Sequence, residues 1–135
     1  MLRRHFTPKE ANDELREIRP VVQELVAHRK EQQRLQAERS ELAAKIAGNG
    51  GGIDSQAIAE LEQAEQRKRL EIARCVNSIH GLGAIVKDLD EGLVDFPALR
   101  HGEEILLCWR LGEDEVAHWH GLEEGFAGRR QLDPE

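Results

Sequence analysis

Several residue types that define common protein classes are scarce in this sequence. Aromatic residues make up 4% of the 135 residues and tyrosine is absent, so few large rings can anchor a core. The two cysteines, Cys75 and Cys108, are far apart and form no CxxC pair, which excludes a disulfide framework and fits a reducing cytoplasm. No apolar run approaches the ~20 residues that span a bilayer, and residues 1–6 contain no signal-peptide core. We therefore expect a cytoplasmic protein without a membrane segment.

Familiar catalytic signatures are missing as well. The sequence contains neither a GxSxG nucleophile elbow nor an HExxH zinc motif, and no GK[ST] follows its glycine run. The sequence therefore indicates an architecture and a region in which to search for a site, and it leaves open whether the protein is an enzyme.

The net charge of −7 is unevenly distributed along the chain. Residues 1–82 contain 14 Lys/Arg and 13 Asp/Glu, whereas residues 83–135 contain 5 and 13, a net charge of −8. Because the acidic part repels phosphate backbones, nucleic acid is not the expected partner. The acidic part can attract a cation, or it can serve only as a solubilising surface. The length is that of a single domain, residues 1–135.

Residues 7–47 carry the pattern of one long helix. A capping box at residues 7–10, with proline at the first helical position, predicts where it begins. Aliphatic residues then recur at helical spacing from position 15 to position 46. Pro20 falls inside this run and predicts a kink, because it removes one backbone hydrogen bond.

A second helix is predicted over residues 54–82, after a glycine-rich reversal at residues 48–52. Its stripe alternates steps of three and four, with Glu65 and Lys68 as polar interruptions, so the two helices should pack antiparallel, stripe against stripe. Such a coiled-coil-like hairpin is longer than any core that the remaining residues can cover. Its outer half must be solvated or must pair with another copy, and we expect a homodimer.

The acidic segment, residues 84–135, changes to short β-type runs separated by Gly, Asp and Glu. Strands are predicted at 84–86, 93–96, 105–111 and 116–120, with Pro97 closing the second. The predicted fold class is α+β: a long antiparallel helical hairpin followed by a small antiparallel β-meander.

The first candidate ligands are Asp88, Asp90 and Asp95, which lie around Gly92. The Asp-x-Asp-x-Gly run resembles the opening of a calcium loop, but the distal glutamate of an EF-hand is missing. A polar turn with Gly92 at positive φ is the favoured interpretation, and the three carboxylates remain candidate metal ligands.

The second candidates are His118 and His120, which share one face of a strand because they are two residues apart. An H-x-H pair can supply two of the three or four ligands of a metal ion. Alternatively, both side chains are half-exposed polar residues with no ion. Imidazole and carboxylate together favour zinc, manganese or iron over calcium.

Cys108 is the third candidate, and the register of the last hairpin decides its neighbours. A three-residue loop places Cys108 directly opposite His118 and diagonal to His120. A two-residue loop would instead place the histidines beside Trp109. The first register is preferred because it gathers both tryptophans on one buried face. Otherwise Cys108 is a small buried hydrophobe.

The fourth candidates lie near the C-terminus. Glu124 can complete a ligand set, and Arg129 can hold an anionic substrate or neutralise the aspartates. The alternative is a C-terminal wrap in which Phe126 fills the core.

Several motifs together are similar to those of a bacterial family, domain of unknown function 2203. They are residues 86–97 (VKDLDEGLVDFP), 107–113 (LCWRLGE), 119–120 (WH) and 125–129 (GFAGR). The resemblance covers nearly the whole chain and implies a small prokaryotic protein with no established activity, for which metal binding has been suggested.

Three functional hypotheses follow. The leading one is a metal- or ligand-binding module, with an unidentified small-molecule ligand, whose hairpin mediates self-association. The second is a small metal-dependent hydrolase with Asp88, Asp95 and His120 at a catalytic ion. The third is a coiled-coil adaptor with no site. His120 is the preferred ligand, although it can also simply hydrogen-bond Asp95 and hold the last strand.

Overall fold

The computed structural model describes residues 3–48 and 55–133, and it confirms an α+β fold with a helical hairpin and a β-meander. The two helices lie against one another and are followed by a five-stranded antiparallel sheet in the order β1-β2-β3-β4-β5. The elements are α1 Pro8–Gly48, α2 Ser55–Gly81, β1 Ile85–Asp88, β2 Leu93–Arg100, β3 Glu103–Arg110, β4 His118–His120, a 3₁₀ turn Phe126–Gly128, and β5 Arg130–Gln131. Most of the predicted glycine reversal, and residue 54 at the predicted start of the second helix, fall outside the described residues.

The start of α1 has the geometry that its sequence predicts. The Glu10 amide donates to Thr7 Oγ1 at 3.1 Å, and the Thr7 amide donates to Glu10 Oε1 at 2.9 Å. This reciprocal pair satisfies amides that have no partner within the helix. The helix α1 continues through Pro20 without interruption. Neither helix is apolar and long enough to cross a bilayer.

The core lies between the sheet and one half of the hairpin. α1 contributes Leu15, Ile18, Val22 and Leu25, and α2 contributes Ile79. The sheet contributes every second residue of its central strands, because alternate side chains point to opposite faces. These inward-facing residues are Val94, Phe96, Leu107 and Trp109.

Beyond the sheet, the hairpin is held mainly by the two helices themselves. Glu65 of α2 is 5% exposed, and its carboxylate accepts from Arg39 Nε of α1 at 2.6 Å. A polar residue predicted to interrupt the apolar stripe thus forms an interhelical ion pair. Among the described residues further out, none is buried; Leu42 and Leu61 are half-buried.

The prediction that Pro97 closes the second strand is wrong, because β2 runs on to Arg100. The Pro97 carbonyl accepts from the Phe6 amide at 2.7 Å, so the polar groups of Pro97 face away from β3. At that position the missing N–H costs no hydrogen bond between β2 and β3.

The register between β3 and β4 is the predicted one, with Cys108 opposite His118 and Leu107 opposite Trp119. Two details differ. β4 is shorter than expected, and a fifth strand, β5, pairs with it. Val116, expected on the face of the histidines, is buried in the core. It lies outside the strand, where Asn12 accepts from its amide at 2.7 Å and donates to its carbonyl at 3.2 Å.

Candidate metal site

Three adjacent strands bring Asp95, Cys108 and His120 together on the sheet face opposite the helices. Asp95 is directly opposite Cys108, and His120 is diagonal to Cys108 on the next strand. One potential ligand atom from each residue lies within 4.8 Å of the other two. Their exposed fractions are 2%, 1% and 3%. Carboxylate, thiol and imidazole are the side chains from which proteins build transition-metal sites.

The alternation of side chains along the strands explains why polar groups are found here. Val94 and Phe96, the neighbours of Asp95, point into the core, and so do Leu107 and Trp109 beside Cys108. Asp95 and Cys108 must therefore point to the other face. That face is also buried, because the segment that follows β4 covers part of it. Phe126 in this segment lies 5.4 Å from the Arg110 guanidinium on the sheet.

The hydrogen bonds of His120 fix which ring nitrogen faces the group. Nδ1 lies 2.8 Å from the carbonyl oxygen of Gly121. Because a carbonyl only accepts, Nδ1 carries the proton and donates. Nε2 therefore faces Asp95 and lies 3.2 and 3.3 Å from its two oxygens. In the neutral form of the ring, which is the form that binds metals, Nε2 carries the lone pair. Metal-binding histidines are commonly oriented by such a bond from the non-ligating nitrogen to a carbonyl.

The electrostatics of the group disfavour free negative charge. Burial raises the pKa of Asp95 above its ordinary value, although His120 opposes the shift. Burial, followed by the neighbouring Asp95 carboxylate, raises the pKa of the Cys108 thiol to about 12. A thiol with so high a pKa is protonated at neutral pH and is a weak nucleophile. A divalent cation would neutralise the carboxylate and thiolate together.

His118, directly opposite Cys108, has other partners. Arg129 Nη2 donates to His118 Nδ1 at 2.6 Å and to Glu113 Oε1 at 2.9 Å. Burial opposes ionisation of Glu113, but hydrogen bonds from Arg129 and the Arg110 amide lower its pKa below the usual range. Arg129 Nε is buried without a hydrogen-bond partner among the described residues. Arg129 was expected to bind a substrate or the aspartates; in the structure it joins His118 to Glu113.

The remaining predicted ligands lie in other contacts. Asp88 accepts from the Glu91 amide at 2.8 Å, in the turn where Gly92 has φ +73°, as the polar-turn interpretation expects. Asp90 accepts from Arg29 Nε at 2.8 Å. Glu124 accepts from the Gly121 amide at 2.7 Å and forms two 2.8 Å hydrogen bonds with Arg130. The hydrogen bonds from Arg130 and then from the Gly121 amide lower the pKa of Glu124.

In the alternative to a ligand site near the C-terminus, Phe126 fills the core, but the structure places it elsewhere. Its ring is half-buried outside the core and lies 4.6 Å from the Arg129 guanidinium. The short turn that carries it therefore covers the outer face of the sheet.

Sequence reasoning named all three residues of the group but ranked their partners differently. It paired His120 with His118, which share a face, and treated Cys108 as a neighbour. The correct hairpin register contained the signal, since it placed Cys108 diagonal to His120. A further cluster, Glu24, His28 and Glu71, was not anticipated. Its carboxylates are already paired with Arg74, which makes it a bridge between the helices.

A comparison with protein families matches residues 4–132 to the family described as "Uncharacterized conserved protein (DUF2203)". The chain belongs to the DUF2203 family. The match includes Asp95, Cys108 and His120, and it confirms the resemblance seen in the sequence motifs. Searches of curated proteins and of solved structures found no match for this DUF2203 member.

Proposed function

We propose that this protein is a metal-binding module in which Asp95, Cys108 and His120 hold one divalent transition-metal ion. The observation that carries the proposal is the convergence of three different ligand types, all buried, from three neighbouring strands. A purely structural core has little reason to bury an aspartate and a histidine side by side, since burying polar groups costs free energy.

The donor set favours zinc. A thiolate and an imidazole suit zinc and iron, whereas manganese prefers oxygen ligands. Binding requires loss of the Cys108 proton, and the cation compensates the raised pKa of that thiol. Nδ1 of His120 donates to the Gly121 carbonyl, so Nε2 is oriented towards the ion before it binds.

The competing interpretation is structural: the His120–Asp95 contact ties β4 to β2 and no ion ever binds. The two interpretations differ in what Cys108 does. A tie between His120 and Asp95 does not need a thiol, whereas a metal site does. Cys108 is therefore the residue on which a test should act.

The test compares two buried cysteines. Purified wild-type, Cys108→Ala and Cys75→Ala proteins are loaded with zinc and analysed for bound metal, and cobalt-loaded samples are examined for thiolate-to-cobalt charge transfer. Cys75 is 0% exposed in the core and is absent from the proposed ligand set, so it controls for loss of a buried thiol. We expect one ion per chain and the charge-transfer band in wild type and Cys75→Ala. Cys108→Ala should lose at least roughly tenfold in zinc affinity.

Two outcomes would contradict the proposal. If wild-type protein folds and takes up no zinc, cobalt or iron, the remaining interpretations are the structural contact between His120 and Asp95 and an adaptor without a site. Equal metal content in Cys108→Ala and wild type would place the ion elsewhere.

A hydrolase is a second candidate, favoured by the number of ligands. Three protein donors leave one position of a tetrahedral zinc ion open, as in catalytic sites. Asp88, which the hydrolase hypothesis named as a ligand, lies in a turn instead. In this version of the hypothesis Cys108 is the third ligand. Zinc-loaded protein that hydrolyses esters or phosphoesters, with activity lost in Cys108→Ala, would support this function; inactivity across such a panel favours a binding module.

We further propose that the outer half of the hairpin associates with a second copy. The support is incomplete burial: Leu42, Ile46, Ile58 and Leu61 are all only half-buried within the chain. A second hairpin packed along these residues would remove that apolar surface from water.

A further inference from the structure

A cleft of about 790 Å³ opens where the beginning of α1 meets the turn between β2 and β3. Its apolar floor is formed by Phe6, Leu107, Trp119 and Leu132. Trp119 is paired with Leu107 on the helix-facing side of the sheet, so the cleft lies on the side opposite Cys108. Its volume is in the range of small-molecule sites, and it is distinct from the proposed metal site.

The side chains that line this cleft are more positive than the acidic segment, residues 83–135, to which most of them belong. Residues 83–135 have a net charge of −8, yet the side chains lining the cleft include two cations, Lys9 and Arg100, against one carboxylate, Asp133. Lys9 also lies 3.7 Å from the Asp13 carboxylate. A concave surface with a basic rim attracts anions. The apolar floor requires that such an anion also carry an apolar body.

Arg100 already shows how an acid group would be held. Its guanidinium lies 4.7 Å from the centre of the Trp119 ring and donates from Nη2 to Asp133 Oδ2 at 3.1 Å. The Asp133 side chain is 76% exposed, so the contact is near the surface and open to exchange with another anion.

We propose that this cleft binds a small organic acid, with its acid group on Arg100 in place of Asp133 and its apolar body against Trp119 and Leu107. The arginine fork fits a planar carboxylate. The Trp119 ring centre also lies 4.7 Å from the Arg130 guanidinium, so the apolar body of the ligand contacts the part of the ring left exposed beside Leu107. A volume of about 790 Å³ suits one small molecule, so the proposed occupant is neither a nucleic acid nor a second copy of the chain.

The probe for the test is 8-anilinonaphthalene-1-sulfonate, an aromatic anion whose fluorescence rises in apolar surroundings. We expect saturable binding of one probe per chain, with quenching of the tryptophan emission by energy transfer to the bound probe, since Trp119 lines the cleft. Arg100→Gln should weaken binding roughly tenfold. Arg110→Gln is the matched control, because Arg110 stacks on Phe126 instead, and its affinity should equal that of wild type.

Two further measurements separate charge recognition from simple apolar adhesion. N-phenyl-1-naphthylamine has the same rings without the sulfonate, and it should bind at least roughly tenfold more weakly. Asp133→Asn removes the competing carboxylate and should tighten sulfonate binding. Equal affinity for the two probes, or an Arg100→Gln protein that binds as wild type does, would overturn the proposal. Probe binding that disappears as the chain self-associates would instead assign the cleft to an interface and would also overturn it.

Discussion

At the scale of single residues, the most informative side chain is Asp95. Its carboxyl is buried, its pKa is raised by that burial, and its nearest described partner is the imidazole of His120. A residue retained for stability alone would avoid this arrangement, because a buried charge costs more than an uncharged isostere. A substitution of Asp95 can therefore distinguish a metal site from a purely structural contact between β2 and β4.

We expect Asp95→Asn to stabilise the metal-free protein at pH 7 by about 1 kcal/mol while abolishing metal binding. The amide keeps the shape of the side chain and can donate to Nε2 of His120. Urea denaturation of the metal-free proteins measures the first effect, and metal analysis measures the second. A loss of stability comparable with that of a core deletion would favour the structural tie.

The pH dependence of that difference follows from the direction of the pKa shift. The pKa of Asp95 is raised in the folded state, so the folded protein binds this proton more tightly than the unfolded chain does. Wild-type stability associated with this group is present at low pH and is lost as pH rises from about 4 through the raised pKa. The advantage of Asp95→Asn should therefore be largest at neutral pH and shrink towards pH 4. An advantage that grows on acidification would contradict the shift.

Gly92 is the second residue with a sharp expectation. It has φ +73°, and a Cβ there would lie 2.8 Å from Val22 Cγ1 and 3.0 Å from Leu111 Cβ. Gly92→Ala combines backbone strain with a clash and should cost about 3 kcal/mol in urea denaturation. Gly102→Ala is the control, with φ +79° and no atom within 4 Å of its Cβ. It should cost about 1 kcal/mol, and equal losses would show that the close packing at Gly92 is unimportant.

At the scale of elements, the hairpin depends on one buried ion pair as well as on its aliphatic residues. Glu65 is almost fully buried, whereas Arg39 is partly exposed. Removing Arg39 leaves a buried carboxylate without its partner, and removing both leaves an apolar position. The sequence marked Glu65 as an interruption in the stripe, and the facing helix supplies the reason why it is tolerated.

Arg39→Ala should lower the melting temperature by several degrees, and the additional change Glu65→Leu should restore it to wild type or above. Thermal unfolding monitored by circular dichroism provides the comparison. The single variant Arg39→Ala is the control for the double variant, since both proteins lack the arginine. A double variant no more stable than Arg39→Ala would show that the unpaired Glu65 carboxylate is not what destabilises the single variant.

At the scale of the whole molecule, the hairpin reaches beyond the part of the chain that supplies the core. Every buried aliphatic residue of α1 except Leu35 lies in its first half, where it meets the sheet or α2. The outer half keeps apolar side chains that two helices alone cannot cover completely. This unequal coverage is the physical basis for expecting a second copy.

Light scattering at micromolar concentration should therefore give about twice the chain mass of 15.3 kDa. Leu42→Gln, on the outer hairpin, should shift the mass towards that of one chain. Leu99→Gln is the control, because Leu99 is 57% exposed on the sheet and lies beside the beginning of α1, at the other end of that helix from Leu42. A mass of one chain for wild type across this range would remove the self-association proposal.

The sequence by itself determined the two helices and four of the five strands of this protein, because their signals are local. The capping box at Thr7 and Glu10 set where α1 begins, and helical spacing predicted the two helices to within about one residue. Alternation of side chains, combined with the hairpin register, placed Cys108 opposite His118. Fold class required nothing more, since each of these patterns depends on residues close in the chain.

Only the tertiary structure decided which candidates meet. Asp88, Asp90 and Asp95 are nearly equivalent in the sequence, but only Asp95 lies in the middle of β2 beside Cys108 and His120. The sequence made Arg129 a candidate for holding an anionic substrate or neutralising the aspartates, because nothing local shows that it contacts His118 and Glu113. The sequence predicted a strand end at Pro97, because proline lacks the amide that a strand normally uses. The hydrogen bond from the Phe6 amide to the Pro97 carbonyl, between residues far apart in the chain, could not be seen from local sequence. Each of these outcomes rests on contacts between residues far apart in the chain, and local propensity carries no information about those.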